Sequence, residues 1–269
     1  MTLTDSFGNT VTLDSEPLRV ISVGPSITEN LYAIGAGDKL VGRTDYCDFP
    51  KEALQVESVG ALDAPDIEKI VSLEPDLVIA SSIFTEDTYI KLTEIGIKVL
   101  ILHNEYDVNG VYTTLETLGS VLNAQDRATA VSAAMKASIE DTTIRISGQN
   151  APSVYYVVGY GEYGDYTAGG DTFVGTLLTM AGGANIAQDV SGWSYSLESL
   201  IEADPDIILL PTGMKDSFVA TDNYKELSAV INGKVYEIDR NLLERQGYRN
   251  AEGIRTLAEI FYPDAFLDQ

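Results

Sequence analysis

Residues 159–164 read Gly-Tyr-Gly-Glu-Tyr-Gly and follow the apolar run Val154–Val158. A GxGxxG placed there could cradle the pyrophosphate of a dinucleotide, provided that the glycines opened a helix directly. They do not: Asp165-Tyr-Thr-Ala-Gly-Gly170 intervenes, and so many tyrosines describe a binding loop better than a phosphate cradle. A serine hydrolase would need a histidine base, and His103 is the only histidine; no GxSxG elbow holds a nucleophile. His103 ends the apolar run Val99–Leu102, where a structural role is expected rather than metal ligation. Cys47 is the only cysteine, which excludes an internal disulfide and a cysteine-based zinc or iron–sulfur site. The 41 acids are too many to single out the facing carboxylate pair of a glycosidase, and no P-loop is present. These residue types point to binding, not catalysis. Trp193 fits that reading: it is the only tryptophan and lies between Gly192 and Ser194 in a polar stretch, where a ring has little core to join.

The elements that must position such residues follow from length and pattern. At roughly 150 residues per domain, 269 residues make about two domains. With 45% hydrophobic and 22% charged residues the composition is globular, with enough apolar material for two cores. The net charge of −24 repels polyanions, which argues against nucleic acid and anionic membrane surfaces as partners. No apolar run approaches the roughly 18 residues that span a bilayer. The opening Met1-Thr-Leu-Thr-Asp5 lacks the pattern of a signal peptide, so any export segment is expected to be absent from this chain.

The strongest pattern is internal duplication. Residues 67–80 and 197–210 share, 130 residues apart, a Glu at the second position, apolar residues at helical spacing, an acid-Pro-Asp turn and a buried apolar run. The proline ends a helix, and the run after it suits a parallel strand covered on both faces. A second echo precedes each copy: strand Arg19–Val23, helix, Gly35, and strand Val154–Val158, helix, Gly182. Between the halves, Asn123–Ser147 contains neither proline nor glycine and predicts one helix ~30 Å long. The division expected is an α/β lobe over 1–122, a connector helix over 123–148 and a second α/β lobe over 149–269. Ser26-Ile-Thr-Glu29 matches a capping box that would start the first helix.

In combined order and spacing the chain resembles the helical-backbone class of ABC-transporter solute-binding proteins, which carry cobalamin, ferric siderophores or heme. The resemblance rests on Asp5–Leu13, Arg19–Glu29, Gly35–Gly42, Thr44–Pro50, Val59-Gly60, Ile67–Ala80, Gly96–Val99 and Thr167–Gly170, and it covers nearly the whole chain. It is most similar to the cobalamin-binding type. What it implies is two Rossmann-like lobes joined by one long helix, with a ligand cleft between them. The protein would be extracytoplasmic, free in a periplasm or lipid-anchored, and a monomer. It would deliver a large metal chelate to an ABC permease with its ATPase subunits, with no cofactor of its own.

By family position the ligand would meet Tyr46, Leu62, Ser81, Tyr163, Tyr166, Trp193 and Tyr195. Tyr46, Tyr166 and Trp193 fall where cobalamin-binding members place aromatic rings. Leu62 and Ser81 stand at further tryptophan positions of that type and thin its aromatic pocket. Arg245, with Arg43, Arg240 and Arg249, keeps open a ligand bearing carboxylates, a ferric siderophore or heme. Arg43 or Arg240 could equally pair with nearby acids. Glu68 and Glu198 occupy equivalent first turns, where an acid is favoured by the helix dipole; the resemblance implies that they dock on permease arginines. A two-lobed α/β enzyme with a bound metallocofactor is the alternative of another class, and the scarcity of His and Cys opposes it.

Overall fold

The computed structural model describes residues 1–81, 83–103, 107–162 and 164–267. Twelve strands are described: β1 (Thr2–Thr4), β2 (Thr10–Thr12), β3 (Val20–Val23), β4 (Leu40–Arg43), β5 (Leu77–Ala80), β6 (Val99–Ile101), β7 (Ser153–Tyr156), β8 (Asp165–Tyr166), β9 (Ala184–Asn185), β10 (Ser194–Tyr195), β11 (Ile207–Pro211) and β12 (Val235–Ile238). The helices of the first half are α1 (Pro25–Ala33), α2 (Ile67–Ser72), α3 (Glu86–Glu94), α4 (Val108–Val121) and α5 (Gln125–Arg145). Those that follow are α6 (Phe173–Met180), α7 (Leu197–Ala203), α8 (Lys215–Ala220), α9 (Ser228–Ile231), α10 (Asn241–Glu244) and α11 (Asn250–Phe261). The chain divides into two compact units, Met1–Ala134 with Gln246–Tyr248, and Met135–Arg245 with Arg249–Gln269. The boundary falls inside α5, which runs unbroken for 21 residues as its lack of Pro and Gly predicts.

Each unit is built on a four-stranded, wholly parallel sheet. The orders are β4-β3-β5-β6 and β9-β7-β11-β12, so in both the first strand of the sheet lies between its second and its third. Strands β3, β5 and β11 are buried at every residue, as parallel strands covered on both faces must be. The first core gathers Ile21, Val23, Ile70, Val78 and Phe84, and the second Leu200, Ile208, Leu210, Phe218 and Val235. The second core differs in holding two phenols, Tyr155 and Tyr224.

The duplication extends to single hydrogen bonds. Helix α1 ends at Gly35, φ +73°, with Gly35 N–H donating to Tyr32 and Ala36 N–H to Leu31; α6 ends at Gly182, φ +86°, with Gly182 N–H donating to Thr179 and Gly183 N–H to Leu178. Both are the paired closure that a left-handed glycine permits. After α2 and α7 the residues before proline, Glu74 and Asp204, turn left-handed at φ +45° and +39°. Asp76 then accepts from the Leu18 and Arg19 N–H groups at 2.8 and 2.9 Å, and Asp206 from the N–H and hydroxyl of Ser153, both at 2.8 Å. Each aspartate thus ties the foot of its own strand to the segment that enters the strand beside it.

One expectation fails. Ser26 does not cap α1: Gly24 is the N-cap, Pro25 opens the helix, and Glu29 lies buried within it. Proline is favoured at the first helical position because its missing N–H would have been unpaired there anyway, and it outweighs the Ser-x-x-Glu pattern one residue later. Among the described residues, no helix is long and apolar enough to cross a membrane.

Candidate functional site

In an open parallel sheet, ligands approach the carboxyl ends of the strands, next to the pair where the chain reverses its direction of travel. In the first unit that pair is β3 and β5. Gly24 leaves β3 at φ +153°, and a β-carbon on it would stand 2.7 Å from the Ser81 hydroxyl oxygen. Ser81, directly after β5, donates its N–H to the Val23 carbonyl at 3.1 Å. The two loops are therefore packed against one another, and Ser81 lies at the switch point itself.

Tyr46 follows β4 with 63% of its surface exposed. Its neighbours fix it: Asp45 N–H donates to the Gly60 carbonyl at 2.9 Å, and buried Cys47 returns its N–H to Thr44 at 3.1 Å. Leu62 goes the other way and packs against the first core, so packing alone accounts for a leucine there.

In the second unit the switch lies between β7 and β11, and the loop after β7 carries an elaboration that the first unit lacks. Val158 N–H donates to the Tyr166 carbonyl at 2.8 Å, and Tyr166 N–H to Gly159 at 2.9 Å, closing a loop over 159–166. Gly159–Gly164 thus opens a loop that returns on itself, and the next helix starts only at Phe173. Beyond the loop, β8 and β10 form an antiparallel ribbon pairing Tyr166 with Ser194 and Asp165 with Tyr195. Thr167 N–H donates to Trp193 at 2.8 Å and Gly169 N–H to Gly192 at 2.9 Å, which extends the ribbon past its strands. The Asp171 carboxylate accepts from Gly192 N–H at 2.7 Å and from the Ser191 hydroxyl, clamping the turn before Trp193. Tyr166 and Trp193, a residue apart in register, are 38% and 44% exposed.

The pleat of that ribbon separates residues that are neighbours in sequence. Tyr195 and Asp165 share the face opposite to Tyr166 and turn inward. Trp193, two residues before Tyr195 and across from Thr167, follows that side of the pleat at the ribbon's end yet stays exposed. The Tyr195 ring lies 5.6 Å from Tyr155, and its hydroxyl reaches the Ile186 carbonyl at 3.4 Å. Asp165 is 6% exposed and accepts from the Tyr224 hydroxyl at 2.7 Å. Burial raises the Asp165 carboxyl above the usual carboxylate value, the Tyr224 bond opposes the rise, and the Glu198 charge adds to it. Burial likewise pushes the Tyr155 and Tyr224 phenols up. Sequence reasoning missed Asp165 and Tyr224; both sit in polar stretches, Gly164-Asp-Tyr-Thr167 and Asp222-Asn-Tyr-Lys225, that carry no sign of burial. Tyr163 lies outside the described residues.

The arginines divide. Arg43 donates to the Ala53 and Thr44 carbonyls at 3.2 and 3.0 Å, and Arg240 pairs with Glu244 at 2.7 Å. Arg249 is buried, 3.8 Å from Asp239. Arg245 caps the end of α10, and its carbonyl accepts from the Asn250 side chain at 2.9 Å. His103 is exposed after β6, with its backbone tied to Ser6. No cluster of metal-ligating side chains occurs among the described residues. Glu68 and Glu198 are both exposed in first turns, those of α2 and α7, whose N-caps Asp66 and Ser196 accept from Lys69 and Ser199 N–H. One turn further on, each helix exposes an aliphatic residue, Val71 at 45% and Ile201 at 53%.

Two units of one topology, each with aromatic residues on the loops above its sheet, define a bilobal solute-binding protein. Comparison with known proteins agrees: residues 20–242 match the periplasmic binding protein family, and the chain belongs to it. An ABC transporter substrate-binding lipoprotein of Bacillus subtilis is 35% identical, the match covering 99% of this chain and 87% of that protein. A cobalamin-binding protein of Halobacterium salinarum is 30% identical over 96% of this chain and 73% of its own length. A solved periplasmic heme-binding protein from Pseudomonas aeruginosa superposes with a TM-score of 0.84 at 26% identity, covering 92% of this chain and 93% of that one.

Proposed function

We propose that this chain is the substrate-binding component of an ABC importer and captures a corrinoid. The observation that carries the ligand class is the exposed pair Tyr166 and Trp193 on a hydrogen-bonded ribbon above the second sheet. Large rings held on a fixed backbone suit a large planar ligand, because stacking area is gained with little ordering of the side chains. Exposed Tyr46 offers a third ring from the first unit. The name of the cobalamin-binding relative supports the same ligand. A corrinoid periphery of near-neutral amides is also indifferent to a net charge of −24, which opposes an anionic ferric complex. The binding residues in this reading are Tyr46, Ser81, Tyr166 and Trp193, and Tyr163 is retained from the sequence alone.

Heme is the second reading, favoured by the presence of Arg245 in the same unit as the ribbon and by the fold shared with the heme-binding protein. The Bacillus relative's description supports a lipid anchor outside the cytoplasmic membrane. The permease-facing groups are Glu68 and Glu198, each with its aliphatic neighbour Val71 or Ile201 one turn on. Substituting both glutamates by alanine should reduce uptake in cells while leaving the affinity of the purified protein for cyanocobalamin unchanged. Normal uptake by the double variant would refute the docking role.

A further inference from the structure

The Tyr166–Trp193 ribbon hangs on a glycine-rich loop held, among the described residues, by few backbone bonds. They are those between Gly159 and Tyr166 at its base and one from Gly164 N–H to the Gly161 carbonyl at 3.0 Å. Residues 159–165 contain three glycines, of which Gly161 and Gly164 adopt φ +106° and +107°. Glycine-rich backbone has more conformations to lose on ordering than any other, so such a loop needs fastening from outside. A buried side chain supplies it at both limbs. Tyr224, from the segment between α8 and α9, is 1% exposed and places its hydroxyl between the two limbs of the loop. That hydroxyl donates to the Asp165 carboxylate at 2.7 Å and accepts from Gly161 N–H at 3.2 Å. The phenol ring is itself held: it stacks on Phe218 at 4.5 Å and 19°, and meets Tyr160 edge-on at 5.5 Å. Tyr160, on the loop, bonds in turn through its hydroxyl to Ser217 at 2.6 Å.

An apolar residue at position 165 would fill the inward face of the ribbon without burying a carboxylate. A buried polar pair gives little net stability, yet leaving either partner unpaired is costly, so such pairs fix geometry more than they add free energy. We infer that Asp165 and Tyr224 are positioning residues for ligand binding, a buried hydrogen-bonded latch that sets the orientation of the ribbon bearing Tyr166 and Trp193. The inference rests on the reading that those two rings meet the ligand. Tyr224 lies far from them in sequence and touches neither ring in the contacts described, so its effect on the ligand is exerted through Asp165 and Gly161.

Trp193, as the only tryptophan, reports the latch without a label. Three measurements on purified protein test it: acrylamide quenching of Trp193 fluorescence, the dissociation constant for cyanocobalamin, and the thermal midpoint. Tyr224→Phe keeps the stacked ring and removes only the hydroxyl. It should raise the quenching constant about twofold and weaken cyanocobalamin about tenfold, equivalent to ~1.4 kcal/mol. Asp165→Asn retains an acceptor for the phenol and should stay within about twofold of the wild type on both readouts. Asp165→Leu opens the latch from the other side and should reproduce Tyr224→Phe, the two changes together adding little; it also stands in if Tyr224→Phe does not fold. Wild-type quenching and affinity in Tyr224→Phe and Asp165→Leu would overturn the latch, as would a fall in thermal midpoint with quenching unchanged. If cyanocobalamin binds none of these proteins, the ligand reading has failed, and the quenching constants still decide the latch.

Discussion

The two units share a scaffold and differ in what they mount on it. Both run first strand between second and third, both close their first helix on a left-handed glycine, and both tie strand to strand with an aspartate after proline. The loops above the sheets do not correspond. After β3 the first unit passes straight into α1 through Gly24, whereas after β7 the second builds a glycine loop and β8 before α6 begins, and completes the ribbon with β10 before α7. The cores diverge with them, since the second accommodates the phenols that hold this addition. Duplicated backbone thus provides the frame, and the second unit's addition sits between strand ends and helix starts, where it disturbs no ladder.

That contrast can be broken most sharply at the glycines. A β-carbon at Gly182 would meet the Tyr262 ring at 2.9 Å and Ile146 at 3.0 Å, whereas at Gly35 it would meet the Arg127 side chain, which can swing away. Gly182→Ala should cost ~2–3 kcal/mol and Gly35→Ala ~1 kcal/mol, the strain of a left-handed alanine alone, by chemical denaturation. Equal losses would mean that the surroundings of the two turns are alike after all. Next in size is the ligand: Trp193→Ala should weaken cyanocobalamin by ~1–3 kcal/mol and Tyr46→Ala by less, placing recognition mainly in the second unit. An equal loss at Tyr46 would share it between the units.

The acid turns give a smaller and more discriminating pair. Glu74→Gly should be stabilising by a few tenths of a kcal/mol, what is left of ~1 kcal/mol of left-handed strain after the extra backbone entropy that glycine loses on folding. Asp204→Gly relieves the same strain but forfeits the bond from Ser228 N–H at 2.8 Å and that from the Ser228 hydroxyl, and should be destabilising by ~1 kcal/mol. The smallest effect is one of pH. The N–H and hydroxyl bonds from Ser153 hold the Asp206 carboxyl below its usual value. A lowered native pKa contributes stability above the unfolded value and loses it as pH falls through the native one. Asp206→Asn should therefore flatten the fall in urea midpoint below about pH 4. Asp165 has the opposite sign: burial raises it, so the charged form is the disfavoured one and its stabilising share is lost as pH rises.

The frame was legible because its signals are local. Apolar spacing, acid-Pro-Asp turns and a stretch from Asn123 to Ser147 without Pro or Gly are read within a few residues of where they act. The ribbon was not. Its strands are two residues long, too short for alternation to show which of Tyr166 and Tyr195 turns inward. The latch is further still from view, since Asp165 and Tyr224 meet across 59 residues and neither forms part of a motif. Leu62 shows the converse, a residue placed by family position in a binding role whose contacts in the fold are core packing, and Arg43, left open between ligand and nearby acids, donates instead to backbone carbonyls.

The central claim is that aromatic rings on the second unit's ribbon select a corrinoid. Calorimetric titration of cyanocobalamin and of hemin into the wild type, Trp193→Ala and Arg245→Ala tests it most directly. The account predicts that cyanocobalamin binds the wild type, that Trp193→Ala weakens it roughly 5- to 100-fold, and that Arg245→Ala changes it less than about threefold. Hemin binding alone, abolished by Arg245→Ala and untouched by Trp193→Ala, would contradict it.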